Sequence, residues 1–445
     1  MDTPDRHLAL DMNRAQWKVM AAAWVGWGFD IFDALLFNYV AANCVTTLLG
    51  LSLGTPEGKS AALFWTGVAS AVLLLGSAAG GLLFGRVADR WGRGRTMVAT
   101  ITLYALGTGA CALAPNLWVL LLFRAIAALG IGGEWAAGAA MVAEVVPEHR
   151  RVEAGALLYA SAPVGLFLAT AVNWLIAGVW LTDSPATSWR WVFAVGALPA
   201  VAALFMRASL AEPTRWAEAA GPTPERGRFA ELFSPEWRAV TFSGMAVAAV
   251  AMLTWWGCNA FIPLVAGGIG DALAAAEGRT GADRQALIEG TKTTATNLFN
   301  LGGLIGTLTT VPIAKRLGRR PMYALYFSLS ALSLFLAFGV EWPAHLRLWL
   351  YLPVGLTVFG VFGSFTYYLP ELFPTRLRGT GAGFCYNAGR VLAAAGPFVV
   401  GSIAARGADA FVAALDLLTW VAVVPLVGLA LLPWTIETRG RALPD

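Results

Sequence analysis

Apolar runs of bilayer length alternate with short polar connections along the whole chain, and strict two-residue alternation is missing. A hydrocarbon core about 30 Å thick takes roughly 20 apolar residues of helix. Read between charged and Pro/Gly punctuation, such runs fall at 18–48, 62–86, 96–115, 117–142, 152–180 and 189–209. A charged stretch, 211–238, separates these from runs at 239–265, 292–314, 320–340, 346–369, 379–405 and 410–434. The pattern predicts an all-α integral membrane protein of twelve transmembrane helices. Its expected parts are a tail 1–17, a six-helix bundle 18–210, a linker 211–238, a second six-helix bundle 239–434 and a tail 435–445. The Ala/Gly-rich segment from Gly267 to Glu289 reads as a long external loop between the seventh and eighth spans, with room for a short surface helix. A membrane β-barrel would need short alternating segments, so it is disfavoured.

Composition agrees with this reading. Of the 445 residues, 58% are hydrophobic and 13% charged, against about 25% charged in a soluble domain, and mean hydropathy is +0.64. The pI near 9.0 does not point to nucleic acid, because the basic residues lie in the connections. With both termini inside, 22 of the 31 Lys and Arg fall on the cytoplasmic side and 7 outside, leaving Arg124 and Arg390 within spans. That asymmetry follows the positive-inside rule and places the chain across the cell's inner membrane with cytoplasmic termini. No cleavable leader is apparent before Trp17, and the four cysteines lie in or beside apolar runs without metal-like or paired spacing. Three scattered histidines and no phosphate loop or nucleophile motif argue against an enzyme; no metal or other cofactor is expected.

Two signatures recur at nearly constant separation. Arg90-Trp-Gly92-Arg93 matches Arg316-Leu-Gly318-Arg319, and Glu144-x-x-Pro147-x-x-x-Arg151 matches Glu371-x-x-Pro374-x-x-x-Arg378. An internal repeat of this length implies two homologous bundles related by an axis along the membrane normal. The first segment, Gly85-Arg-Val-Ala-Asp89-Arg90-Trp-Gly92-Arg93-Gly-Arg95, resembles the signature loop of the major facilitator superfamily. The resemblance implies that fold, with two pseudo-symmetric halves, and a conformational latch formed by Gly85, Asp89, Arg90, Gly92 and Arg93 with Arg316, Gly318 and Arg319. Lys315 stands where Asp89 stands in the first half, so the latch is expected to be asymmetric. Gly28-Phe-Asp30-Ile-Phe-Asp33 and Asn387-Ala-Gly-Arg390 resemble the first and eleventh helices of aromatic-acid/proton symporters. Gly130-Ile-Gly-Gly-Glu134-Trp135 looks like the fourth helix of lactate and sialic-acid carriers.

Ionisable residues inside spans are costly and therefore candidate functional sites. Asp30 and Asp33 are three apart, hence on one helix face, and near the expected midplane. Two carboxylates this close in low dielectric resist joint ionisation, a property a proton carrier needs. Arg390 reaches a similar depth and offers a planar fork that fits a carboxylate; the alternative is an internal ion pair. Glu134 and Arg124 are each read as proton-coupling residues or as fixed partners within their bundle. Polar and aromatic residues at cavity-type positions include Asn173, Trp255, Asn297 and Asn300, with Asn259, Tyr367 and Asn387 the preferred substrate contacts.

The reading that collects these features is a secondary active transporter, a proton symporter for a small organic acid, working as a monomer by alternating access. A sugar or polyol porter is the alternative, since Pro370-Glu371-Leu-Phe-Pro374-Thr-x-Leu-Arg378-Gly379 also resembles sugar-porter-like carriers. A drug/proton antiporter and a non-transporting sensor are weaker readings.

Overall fold

The computed structural model describes residues 11–91, 93–199, 201, 205, 229–374 and 377–440, apart from the side chains of 15, 85, 86, 88–91, 93, 94, 134–141, 143–145 and 148. Every regular element among them is helical. The spans are α1 (Arg14–Leu49), α2 (Pro56–Trp91), α3 (Arg93–Cys111), α4 (Leu117–Val145), α5 (Arg151–Trp180) and α6 (Pro185–Gly196). The second set is α7 (Arg238–Ala276), α8 (Gly281–Arg316), α9 (Arg319–Gly339), α10 (Ala344–Glu371), α11 (378–404) and α12 (Ala410–Trp434). Among the described residues, seven helices are long and apolar enough by themselves to cross a membrane. The remaining spans complete the twelve-helix fold; α8, for example, carries several charges in its first turns.

Local chemistry sets the helix ends. Asn13 opens α1 with a capping box, its side chain accepting from Gln16 N at 2.9 Å while Gln16 Oε1 accepts from Asn13 N at 2.8 Å. Gly50 closes the same helix at φ 67°, a conformation that suits glycine. Within spans, backbone irregularities mark bends: a π turn at Ile176–Trp180 in α5, a break at 260–261 before Pro263 in α7, and a π turn at Gly355–Phe359 just after Pro353 in α10.

The halves repeat one packing scheme. In the first, α1 packs on α5 and α2 on α4; in the second, α7 packs on α11 and α8 on α10. Small residues make these crossings tight. A Cβ on Gly132 would lie 1.8 Å from the Ser77 carbonyl oxygen in the α2–α4 pair, and one on Gly302 would lie 2.0 Å from the Leu352 carbonyl oxygen in the equivalent α8–α10 pair. Between the halves, Gly67 and Gly401 bring α2 against α11, and α5 runs along α8.

The segment from Gly267 to Glu289, expected as a loop with room for a short surface helix, is mostly helix that continues the two flanking spans. Ile262–Ala276 extends α7, α8 begins at Gly281, and only four residues connect them. Alanine-rich sequence favours helix, and the two extensions are tied by Arg284 and Asp271 at 2.6 Å. The linker and the first tail fall largely outside the described residues. Asp11 with Arg150, Arg319 with Glu437, and Lys315 with Glu153 gather the chain ends and the Arg-rich connections at one end of the molecule, called here the basic end.

Candidate binding site between the halves

Gly28 and Gly165 let α1 and α5 cross closely, since a Cβ on Gly165 would lie 2.0 Å from the Gly28 carbonyl oxygen. α1 runs unbroken through this point, so Gly28 serves packing and not a break capped by an aspartate. Just beyond the crossing stand Asp30 and Asp33, both buried. Asp33 Oδ2 accepts from Thr108 Oγ1 at 2.7 Å, while its Oδ1 has no hydrogen-bond partner among the described residues. Arg124, 1% exposed, donates to the Ala34 carbonyl at 2.7 Å and weakly to the Asp33 carbonyl at 3.4 Å. Its guanidinium therefore lies beside the carboxylate while bonding the backbone of α1. The Glu134 side chain lies outside the described residues.

A second set of side chains meets where the halves face each other. Tyr159 of α5 lies 5.3 Å from Trp27 of α1 and stacks at 6.0 Å on Phe362 of α10. Trp255 of α7 closes on Phe359 at 5.4 Å. Tyr386 of α11 lies 6.3 Å from Phe365 and shares hydrogen-bond contacts with Tyr159 and Arg390. The Arg390 guanidinium carbon stands 4.9 Å from the Tyr386 ring centre, within cation–π range. Asn387, one turn earlier, faces Gly81 of α2; among the described residues its Oδ1 and Trp255 Nε1 are buried without a hydrogen-bond partner, while Asn300 makes a side-chain hydrogen-bond contact with Tyr39. A cation, an indole N–H and an amide beside aromatic walls can take up an acceptor-rich solute with an apolar body.

Other predicted residues lie elsewhere. Asn259 is buried at the break of α7. Tyr367 stands apart from the aromatic layer: its hydroxyl contacts Met322 Sδ at 3.5 Å, and the Arg319 guanidinium lies over its ring at 5.7 Å. Arg319 is held within its own half by Glu371, Nη2 to Oε1 at 2.7 Å and Nε to Oε2 at 3.1 Å. Gly318 sits at φ 109°, and Glu437 bonds the backbone N–H groups of Arg319 and Arg320 at 2.9 Å each. Burial alone would raise the Glu437 carboxyl, but N–H donors from Arg319, Arg439 and Arg320 hold it below the usual glutamate range. Arg316 is exposed. Gly92 and the side-chain positions of Gly85, Asp89, Arg90 and Arg93 lie outside the described residues. Among the described residues, the Lys315–Glu153 ion pair joins the two halves at this end.

Sequence reading missed the Glu289–Lys292 pair, assigning Glu289 to a loop and Lys292 to the exterior. Both are buried on α8, joined at 2.7 Å. Lys292 Nζ donates to the Tyr39 carbonyl at 3.1 Å, and Asn173 Nδ2 donates to Glu289 Oε2 at 2.8 Å. The available signal was the i, i+3 spacing of opposite charges inside a continuing helix.

Residues 24–397 match the family model described as Major Facilitator Superfamily. The chain is 28% identical to the probable 4-methylmuconolactone transporter of Cupriavidus pinatubonensis (strain JMP 134 / LMG 1197), over 97% of this chain and 92% of that one. It is 26% identical to the sialic acid transporter NanX of Escherichia coli (strain K12), with 87% of each covered. Its fold superposes on the crystal structure of a D-xylose-proton symporter with a TM-score of 0.70 at 20% identity, covering 96% of this chain and 99% of that one. With twelve helices in two repeated bundles and a family match across most of its length, this chain is a multi-pass membrane transporter of the Major Facilitator Superfamily.

Proposed function

We propose that the protein is a proton-coupled symporter of a small organic acid, working by alternating access with its basic end in the cytoplasm. The observation that carries this reading is Arg390 seated on Tyr386 in the aromatic layer between the halves. A guanidinium there supplies the cation and paired donors that a carboxylate needs, and Trp255 adds an indole N–H with no partner among the described residues. Asn387 is placed at the same site; Asn259 acts from the break of α7. The relatives named for 4-methylmuconolactone and sialic acid support a metabolite of this kind. Asp30 and Asp33 form the proton-carrying pair of the first half, with Arg124 and Glu134 as coupling partners. Movement of α1 against α4 would change the distance between Arg124 and the Asp33 carboxylate and so couple proton binding to the arrangement of the helices. The Tyr367 ring belongs to the Arg319–Glu371 brace. The latch of the signature loops operates with Lys315–Glu153 as its cross-half tie.

The test is uptake into proteoliposomes of defined internal pH, using a panel of carboxylates and their amides. Accumulation of an acid driven by an inward proton gradient, without accumulation of its amide, is the expected result. A sugar or polyol porter is the second reading, favoured by the hydrogen-bond contact of Arg390 with Tyr386, which gives the cation an internal role; uptake of neutral polyols at the expense of acids would select it.

A further inference from the structure

We propose that α8 closes both ends of the passage against α5, and that its two closures differ in kind: a self-neutralised couple away from the basic end, an ion pair shared between halves at it. Glu289 and Lys292 lie near one end of α8 and Lys315 near the other, about 35 Å apart at ~1.5 Å per residue, a span close to the bilayer core. On α5 their partners are Asn173 and Glu153.

At the first closure, both charges belong to α8 and pair with each other, with side chains 0% and 5% exposed. Each also reaches the first half, Lys292 to the Tyr39 carbonyl of α1 and Glu289 to Asn173. Gln285 Nε2 supplies a further bond to Glu289 Oε1 at 3.0 Å from the same helix. The fit is close: Gly178, in the π turn of α5, leaves no room for more, since a Cβ there would lie 3.0 Å from Glu289 Cβ. When the halves part at this end, Glu289 and Lys292 move together. Only their two bonds to α1 and α5 break, and no unpaired charge is created.

At the basic end, Lys315 and Glu153 belong to different halves, with side chains 42% and 19% exposed. Opening there separates opposite charges; Glu153 keeps Arg150 at 3.4 Å, and Lys315 passes to water. Salt screens such a partly exposed pair, whereas a buried couple is screened much less. Ionic strength should therefore loosen the basic end selectively. Removing one member of the buried couple should instead act on the other end, because it strands a charge in the closed state that water relieves in the open one.

Spin labels at Leu51 and Glu277 report the first end, and labels at His149 and Leu317 the basic end, by double electron–electron resonance on substrate-free protein. Asn173→Ala should raise the population separated at the first end at least about tenfold, as expected for losing a hydrogen bond to a charged group. Glu289→Gln should raise it further, and Glu289→Gln with Lys292→Met should return it towards wild type. One molar salt should widen only the basic end, an effect absent in Lys315→Met. The inference is overturned if salt moves both ends alike, or if Asn173→Ala and Glu289→Gln both fold and leave the first end unchanged. It rests on alternating access but not on the substrate: an interface that no variant and no salt moves would remove alternating access as well.

Discussion

The Arg390 guanidinium carbon lies 4.9 Å from the centre of the Tyr386 ring, and Tyr386 in turn contacts Tyr159 of the other half. A cation and both halves thus meet in one aromatic layer. A solute bound at Arg390, as proposed, would sense how the halves are arranged. Lysine cannot reproduce this geometry, since it lacks the planar fork. Arg390→Lys should weaken an acid substrate at least about tenfold, the loss typical of one hydrogen bond to a charged group. Calorimetry with acid and amide ligands checks this; equal losses for both would assign Arg390 to structure alone.

Asp33 has one carboxylate oxygen bonded by Thr108 and one without a partner among the described residues, an arrangement that accommodates a proton. Asp33→Asn and Asp30→Asn should abolish gradient-driven accumulation while leaving exchange of substrate across the membrane measurable. Counterflow of labelled substrate separates the two activities. Uphill uptake undiminished in both variants would remove the carboxylates from coupling.

The α1–α5 crossing tolerates no side chain at Gly165. Gly165→Ala must push backbones apart, at a cost of about 1–3 kcal/mol or more, and should lower the melting temperature in detergent. Gly383→Ala is the control, because a Cβ there meets nothing within 4 Å; a similar drop in both would refute the steric account.

Glu437 ties the last described segment to the start of α9 through two backbone N–H groups. Its folded-state carboxyl is held below the usual range, so its contribution is complete above that range and is lost as pH falls through the lowered value. Protection of the Arg319 and Arg320 amides, taken relative to the intrinsic exchange rate at each pH, should be high near neutrality and fall in acid; in Glu437→Gln it should be lower at neutral pH and less dependent on acid. Protection that ignores both pH and the substitution would count against the clasp.

Hydropathy determined the twelve helices, because the bilayer demands long apolar runs with internally satisfied backbones, and the repeated motifs determined their grouping into two halves. Charged repeats such as Arg316-Leu-Gly318-Arg319 likewise marked the connections at the basic end. The Gly267–Glu289 segment escaped that logic: Arg284 and Glu289 read as polar loop, and Lys292 as the outer edge of the eighth span, when each is counted singly. Only in the folded chain do they find partners, Lys292 for Glu289 and Asp271 for Arg284, which make helix affordable for charges there. The same holds for the site. Sequence marked Arg390, Asp30 and Asp33 as expensive residues needing a reason, but gave no means to tell Tyr386 from Tyr367, two tyrosines in apolar spans. Tertiary structure decided that one lies in the layer between halves and the other beside Arg319, because the crossing of helices far apart in sequence, and not local hydropathy, sets which side chains meet.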